Sequence, residues 1–351
     1  LGPTSAPARW SSRWRQDVFW VILLGSAVLG LIVLELGFQF VLVRLIVPWF
    51  EKGPPFQVPC SDEDPRAERF EFDTADGLTL QGSLYHHRDD NTPRGLVIFC
   101  HEFTGSQWTA MAYCEGLYEA GFDILAFDFR NHGSSDLLDQ YTPLHWLSDH
   151  EMTDVQAAIE YAAARPELAG LPIGLYGVSR GGSAALVAAA QNAAVEAVAS
   201  DGGYGTKTLM QFHTPGWALL VVPAWLYNLI PWWHSLLTLA LVRWFSQKRR
   251  GVPFTNVERW LPRLASRDVL LISGGRDNYV VPEVTRKLHA LIGDRCQEPW
   301  IVPRAKHNRS RSVQTLEYDH RLVEFFGSMP GAEQIQTDVD RVQDPTPVVV
   351  D

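Results

Sequence analysis

A chain of 351 residues can hold two average domains, or one α/β domain carrying insertions. Its 46% apolar and 20% charged residues describe a globular protein with an excess of apolar side chains, and a formal charge of −10 argues against nucleic acid as a partner. The four cysteines, Cys60, Cys100, Cys114 and Cys296, have neither metal-ligand spacing nor the density of a disulfide framework.

In chain order, residues 1–17 form a polar tail containing Arg9, Arg13 and Arg15. Residues 18–34 carry no charge, and the apolar character continues past Glu35 to position 43. That is long enough to cross a bilayer, with Trp14, Trp20 and Trp49 where interfacial aromatics belong. We expect a transmembrane anchor over residues 18–47. A cleaved signal peptide is the competing reading, but the apolar run is too long for a signal core and lacks a small-x-small cleavage site. Glu35 reads as a snorkelling or helix-contact group, because a single span has no pore to line. The basic residues before the span lean towards a cytoplasmic N-terminus and a catalytic region outside the cytoplasm.

Residues 48–67 read as a linker, Pro-rich and then acidic. Residues 69–85 alternate as two strands around Asp76-Gly77, a hairpin signal. Buried-strand runs follow at 95–100, 123–127, 171–176, 195–200, 269–273 and 300–302, with helical segments at 108–120, 152–164 and 182–190. Strands alternating with helices imply a mostly parallel sheet covered on both faces. Cys100 and Cys114 fall in these buried elements as core thiols. The sheet core is expected over 68–206 and 267–327, interrupted by an insertion at 207–266, and residues 328–351 read as a disordered tail. Within the insertion, 217–245 is strongly apolar and broken by Pro223 and Pro231. A second membrane helix there would divide one sheet across a bilayer. A lid of short helices with a Trp-rich face, resting in the membrane interface over an apolar pocket, is the preferred reading. Lys248-Arg249-Arg250 after it suits either lipid headgroups or solvent.

Gly177-Val178-Ser179-Arg180-Gly181 lies between the strand at 171–176 and the small-residue helix at 182–190. Strand, tight turn and helix are the context that makes a G-x-S-x-G match a nucleophile elbow. The loop after the strand at 269–273 carries Asp277, 98 positions beyond Ser179, and the loop after the last strand carries His307, 30 positions further. In that order a histidine can take the serine proton and an acid can hold the imidazole tautomer. Asp201 is the alternative acid, and His320 reads as a surface residue of the last helix. His101-Glu102 is not a zinc motif, since Gly105 stands where H-E-x-x-H needs its second histidine. No cofactor or metal is expected.

With His101-Glu102-Phe103-Thr104-Gly105-Ser106, Asp128-Phe129-Arg130-Asn131-His132-Gly133-Ser134-Ser135, Gly275-Arg276-Asp277 and Lys306-His307-Asn308 added to the elbow, the chain resembles an α/β-hydrolase. More narrowly it resembles the membrane-anchored lysophospholipase or serine-aminopeptidase-like branch. The resemblance covers residues 68–206 and 267–327, and it implies the α/β-hydrolase fold with an N-terminal transmembrane helix and an apolar lid. It also implies an oxyanion hole from the backbone N–H groups of Phe103 and Arg180, and a structural His132. The family usually has Gly where this chain has Glu102. Glu102 is therefore an accessory candidate that tunes Ser179, contacts substrate, or pairs with Arg130 or Arg180.

These residues predict a membrane-anchored serine hydrolase that cleaves an acyl bond, in a carboxylic ester with a lipid-like chain, through an acyl-enzyme. A thioesterase, peptidase or acyltransferase would use the same groups. A catalytically silent tethered binding protein is the rival from another class. The partners expected are an acyl-bearing substrate and the bilayer; oligomeric state is not readable.

Overall fold

The computed structural model describes residues 12–53, 58, 62–87, 92–220, 222–293 and 296–332. Among the described residues, eight strands build one sheet in the order β1-β2-β4-β3-β5-β6-β7-β8. β1 (Glu68–Asp73) and β2 (Thr79–Tyr85) form the expected hairpin, whose turn places Gly77 at φ +85°. β2 pairs antiparallel with β4 (Asp123–Phe127). From β4 onward β3 (Leu96–Cys100), β5 (Ile173–Val178), β6 (Val195–Asp201), β7 (Asp268–Gly274) and β8 (Trp300–Val302) run parallel. The continuous apolar runs of these strands follow from burial on both faces.

The helices are α1 (Ser12–Glu51), α2 (Met111–Glu119), α3 (Asp149–Ala164), α4 (Arg180–Gln191), α5 (Thr206–Leu219), α6 (Ala224–Tyr227) and α7 (Trp232–Arg250). They continue with α8 (Val257–Trp260), α9 (Pro282–Ile292), α10 (Ser310–Val313) and α11 (Thr315–Gly327). One sheet face packs on α3, α4 and α9, through Val155, Ile159, Ala185, Leu186, Leu288 and Ile292. The other packs on α2 and α11, through Tyr113, Leu117, Leu322 and Phe326. The Gly and Ala content of α4 lets it sit close to the sheet: a Cβ on Gly182 would meet the Ser200 hydroxyl. Cys100, Cys114 and Cys296 are buried free thiols, and Cys60 lies outside the described residues.

Four features differ from the sequence expectation. α9 was not foreseen, although Pro282 at its start and Val284, Leu288 and Ile292 at four-residue spacing carry the pattern. Residues 328–332 are not tail: Met329 and Ala332 are buried against α11 and the sheet, while positions 333–351 lie outside the described residues. The lid helices are not all short, since α7 has 19 residues. Finally, α1 runs past the expected boundary at 47, through Pro48 to Glu51.

Two parts of α1 behave differently. From Trp14 to Leu34 no residue is buried, and this part contains the most apolar stretch. It is the single helix among the described residues long and apolar enough to cross a membrane. From Glu35 onward one stripe turns inward: Gln39, Val43, Val47, Phe50 and Glu51 are buried at helical spacing. Val43, Val47 and Phe50 join Leu144, Trp146, Tyr204, Leu209, Met210, Val242, Phe254, Val280 and Val284 in a third apolar cluster. α1 therefore ends inside the body of the protein. Phe50 stacks on Trp146 at 4.7 Å between ring centres, and its carbonyl accepts the Trp146 indole N–H at 2.8 Å. Removing a buried ring of this kind costs about 3–5 kcal/mol. Phe50→Ala should accordingly lower the thermal unfolding midpoint of the detergent-solubilised chain by several degrees; an unchanged midpoint would mean that the end of α1 contributes nothing to the fold.

Candidate active site

The turn from β5 into α4 is crowded by backbone. A Cβ on Gly177 would run into the peptide of Gly181, and one on Gly181 would meet the carbonyl oxygens of Cys100 and His101 at the end of β3. Only glycine fits either place. Between them Ser179 sits at φ +54°, ψ −120°, a strained conformation for a residue with a side chain. Its N–H donates to the Asp201 carbonyl at 2.8 Å, and its carbonyl accepts the Ser183 N–H at 3.1 Å. These bonds fix the hydroxyl at the start of α4.

The next strands supply the partners. The loop after β7 is tied to the loop after β8 by Gly275 N–H to Val302 O and Arg276 N–H to Ala305 O, both 2.8 Å. Asp277 Oδ1 accepts the N–H groups of Tyr279 and Val280 at 2.8 and 2.9 Å, which turns Oδ2 towards His307 Nδ1, 2.6 Å away. With Nδ1–H donating to Asp277, Nε2 is the acceptor for Ser179 Oγ at 2.8 Å. The structure thus brings Ser179, His307 and Asp277 into one hydrogen-bonded chain. The Tyr279 ring stands edge-on to His307 at 5.4 Å. Ser179 has no exposed surface; Tyr279, Tyr204, Trp146 and the end of α1 belong to the roof packed above the strand ends.

Residues 97–324 match the sequence profile of the alpha/beta hydrolase family. The chain belongs to the alpha/beta hydrolase family. It is 23% identical over 290 residues to the bem46 protein of Schizosaccharomyces pombe, an alignment spanning 81% of this chain and 86% of that one. It is 28% identical over 131 residues to the thiohydrolase aneE of Aspergillus aculeatus, 36% of this chain and 39% of that one. Among solved structures, the esterase Pf2001 of Pyrococcus furiosus superposes with a TM-score of 0.56 at 25% identity, over 79% of this chain and 97% of the esterase.

The other candidates in this hydrolase fall into distinct places. Asp201, the alternative acid, does not reach His307: its carboxyl accepts the hydroxyls of Ser310 and Tyr318, each at 2.9 Å. Burial pushes its pKa up to about 6. Glu102 pairs with neither Arg130 nor Arg180. Its carboxyl is fully buried and accepts Tyr113 OH at 2.9 Å and Thr109 Oγ1 at 3.3 Å, and burial raises its pKa. Arg130 pairs instead with Asp154 and Asp76. His320 is exposed on α11. Phe103 and Arg180 are adjacent, the guanidinium lying 5.1 Å from the Phe103 ring centre. The Arg180 side chain turns back from the serine, donating to Leu144 O at 2.9 Å and to His132 Nε2 at 3.0 Å. His132 donates from Nδ1 to Arg130 O at 2.9 Å, and burial together with Arg180 lowers its pKa to about 3, so it accepts as a neutral ring.

Sequence reasoning missed two contributors. His101 bridges two loops, with Nδ1–H to Glu102 O at 2.7 Å and Nε2 accepting Phe129 N–H at 3.2 Å. Tyr279 was also missed, although Asp followed two residues later by a backbone donor is the pattern of an Asx turn.

Two substitutions separate the carboxyl groups. Asp277→Asn should lose roughly 10³–10⁴ in turnover by stabilising the wrong imidazole tautomer, whereas Asp201→Asn should stay within about tenfold of wild type. Asp201 also has a stability signature. Its folded pKa of about 6 lies above that of an unfolded aspartate, about 3.9, so its contribution is present below pH 4 and is lost as pH rises through 6. Asp201→Asn removes that loss. Its unfolding midpoint should exceed wild type at pH 8, with the gap closing by pH 4; a constant gap across this range would contradict the assignment.

Proposed function

We propose that this hydrolase cleaves a carboxylic ester with an apolar acyl chain, using Ser179 as nucleophile, His307 as general base and acid, and Asp277 as the group that orients the imidazole. The observation that carries the reading is the continuous chain Ser179 Oγ, His307 Nε2, His307 Nδ1, Asp277 Oδ2, with neither link longer than 2.8 Å, starting from a serine in a strained elbow. His307 takes the Ser179 proton as Oγ attacks the carbonyl, and Asp277 offsets the charge that forms on the ring. The N–H of Arg180, at the start of α4, and that of Phe103 receive the developing oxyanion. Collapse of the tetrahedral intermediate expels the alcohol, protonated by His307, and leaves an acyl-Ser179. Water, deprotonated by His307, then releases the acid and restores the hydroxyl.

The apolar and aromatic roof over Ser179 supports an acyl chain as the substrate group. The exposed apolar part of α1 supports delivery of that substrate from a bilayer, with residues 18–47 read as the anchor and 207–266 as a lid. The likeness to a thiohydrolase supports a thioester as the second reading, because the same groups act on either acyl bond.

Fluorophosphonate labelling of the full chain in membranes, beside Ser179→Ala, tests the nucleophile. Labelling should vanish in the variant, and turnover of oxygen-ester substrates should fall by roughly 10⁴–10⁶. Undiminished hydrolysis by the variant would overturn the assignment. Matched oxygen esters and thioesters of one acyl chain then separate the two readings by their kcat/KM ratio.

A further inference from the structure

The part of α1 that is packed against the body is paired with the lid, and the pairing has a definite level. Gln39 Nε2 donates to Glu35 Oε1 at 2.7 Å, Glu35 Oε1 lies 2.8 Å from His234 Nδ1, and Thr238 Oγ1 donates to Gln39 Oε1 at 2.9 Å. Sixteen positions later on α1, Glu51 accepts Ser246 Oγ at 2.6 Å and Arg250 Nη2 at 2.7 Å, and also pairs with Arg249. α1 and α7 therefore run parallel, and the start of α7 is held beside Glu35. Trp232 and Trp233, at the start of α7, therefore stand at that level, and the end of α5 and α6 lead into them as the lid tip.

Three independent features converge there. Twenty helical residues rise about 30 Å, the thickness of a bilayer core. Counted after Asp17, the last charge before the apolar run, twenty residues end at Gly37, between Glu35 and Gln39. The tip itself presents Trp217, Leu220, Trp225, Leu229, Trp232 and Trp233 with 46–82% of their surface exposed, a contiguous apolar patch with no charged residue from 217 to 242. Tryptophan at this density belongs at a membrane–water boundary. Below it, the next charge on each helix is an arginine nine positions on, Arg44 from Glu35 and Arg243 from His234, about 14 Å towards the body. The polar side chains at the boundary, Glu35, Gln39, His234 and Thr238, face one another and are bonded, so none needs water on the lipid side.

We propose that the lid tip and the adjoining face of α1 form one bilayer-docking surface, with the hydrocarbon boundary at the level of Glu35 and His234 and the six tip residues immersed in it. The proposal rests on reading α1 as a span, and it is independent of the chemistry at Ser179.

The test uses the full chain with Leu229→Cys in a Cys60→Ser background, labelled with NBD and reconstituted into phosphatidylcholine vesicles containing nitroxide lipid. The same label at exposed Leu316, on α11, gives the water reference. NBD at Leu229 should emit to the blue of the reference and be quenched several-fold more by nitroxide lipid. Quenching equal to the reference overturns the proposal. So does a blue shift without lipid quenching, which would mean that protein, such as a second copy of the chain, covers the tip. Alkaline carbonate washing separates the two levels: release of the chain from vesicles defeats the span itself, whereas a retained chain with a water-like label defeats only the docked lid. Neither result bears on labelling of Ser179 by a fluorophosphonate.

Discussion

Three backbones meet at the elbow with no room for a side chain, and the position of the reactive groups follows from that. β5 enters, α4 leaves, and the exit of β3 presses its carbonyls against Gly181. A serine at φ +54° costs on the order of 1–3 kcal/mol, and it persists because the Asp201 carbonyl and the first turn of α4 hold its backbone from both sides. Parallel pairing then sets the distances to the other groups. β6 places Asp201 behind the serine, and β7 and β8 end level with each other, so their loops deliver Asp277 and His307 to the same edge. The loops are bonded to each other before either carries a functional group, which holds Ser179, His307 and Asp277 in one hydrogen-bonded chain.

Arg180 is the second constraint. A buried guanidinium one residue from the serine would crowd the Ser179 hydroxyl if it pointed forward. It is instead drawn back by Leu144 O, the neutral ring of His132, and Glu151. The same cation helps hold His132 and His145 unprotonated, each near a pKa of 3, with burial the larger cause. Both rings near the elbow are therefore neutral, and the His132 ring is fixed by hydrogen bonds to Arg130 O and Arg180. Glu102 belongs to the same scaffold. Its bonds to Tyr113 and Thr109 fasten the turn that carries Phe103 to α2, a reason for a carboxyl there that needs no contact with substrate.

The strands and the juxtaposition of Ser179, His307 and Asp277 were legible because their signals are local. Apolar runs end in loops with single Asp or His residues, and a glycine-flanked serine between a strand and a small-residue helix has few other uses. What was not legible depends on partners far away in the chain. Glu35, Gln39, Val43, Val47 and Phe50 make a clear stripe only once α7, some 200 positions later, is set against it. Read alone, the stripe is lost in a helix that is apolar all round, and Pro48 looks like its end. Asp201 was ambiguous for the opposite reason. It sits at a strand end as a reactive carboxyl would, and only the hydroxyls of Ser310 and Tyr318, from the last two helices, reveal it as a buried structural acid.

The pairing of α1 with α7 limits how the roof over Ser179 can open. Separating the two helices would break the Glu35–His234 and Thr238–Gln39 bonds in apolar surroundings, and losing a polar partner there costs several kcal/mol. Their far ends are fastened as well, by Glu51 to Ser246, Arg249 and Arg250, and by Phe50 to Trp146. The pair is therefore the stiff part of the roof. α5 reaches the loop that carries Asp277 through His213, whose Nε2 lies 2.7 Å from the Tyr279 carbonyl oxygen. The His213 ring also stacks on Tyr279, whose ring stands edge-on to His307, so α5 bears on the Ser179–His307–Asp277 chain through contacts separate from the α1–α7 polar pairs.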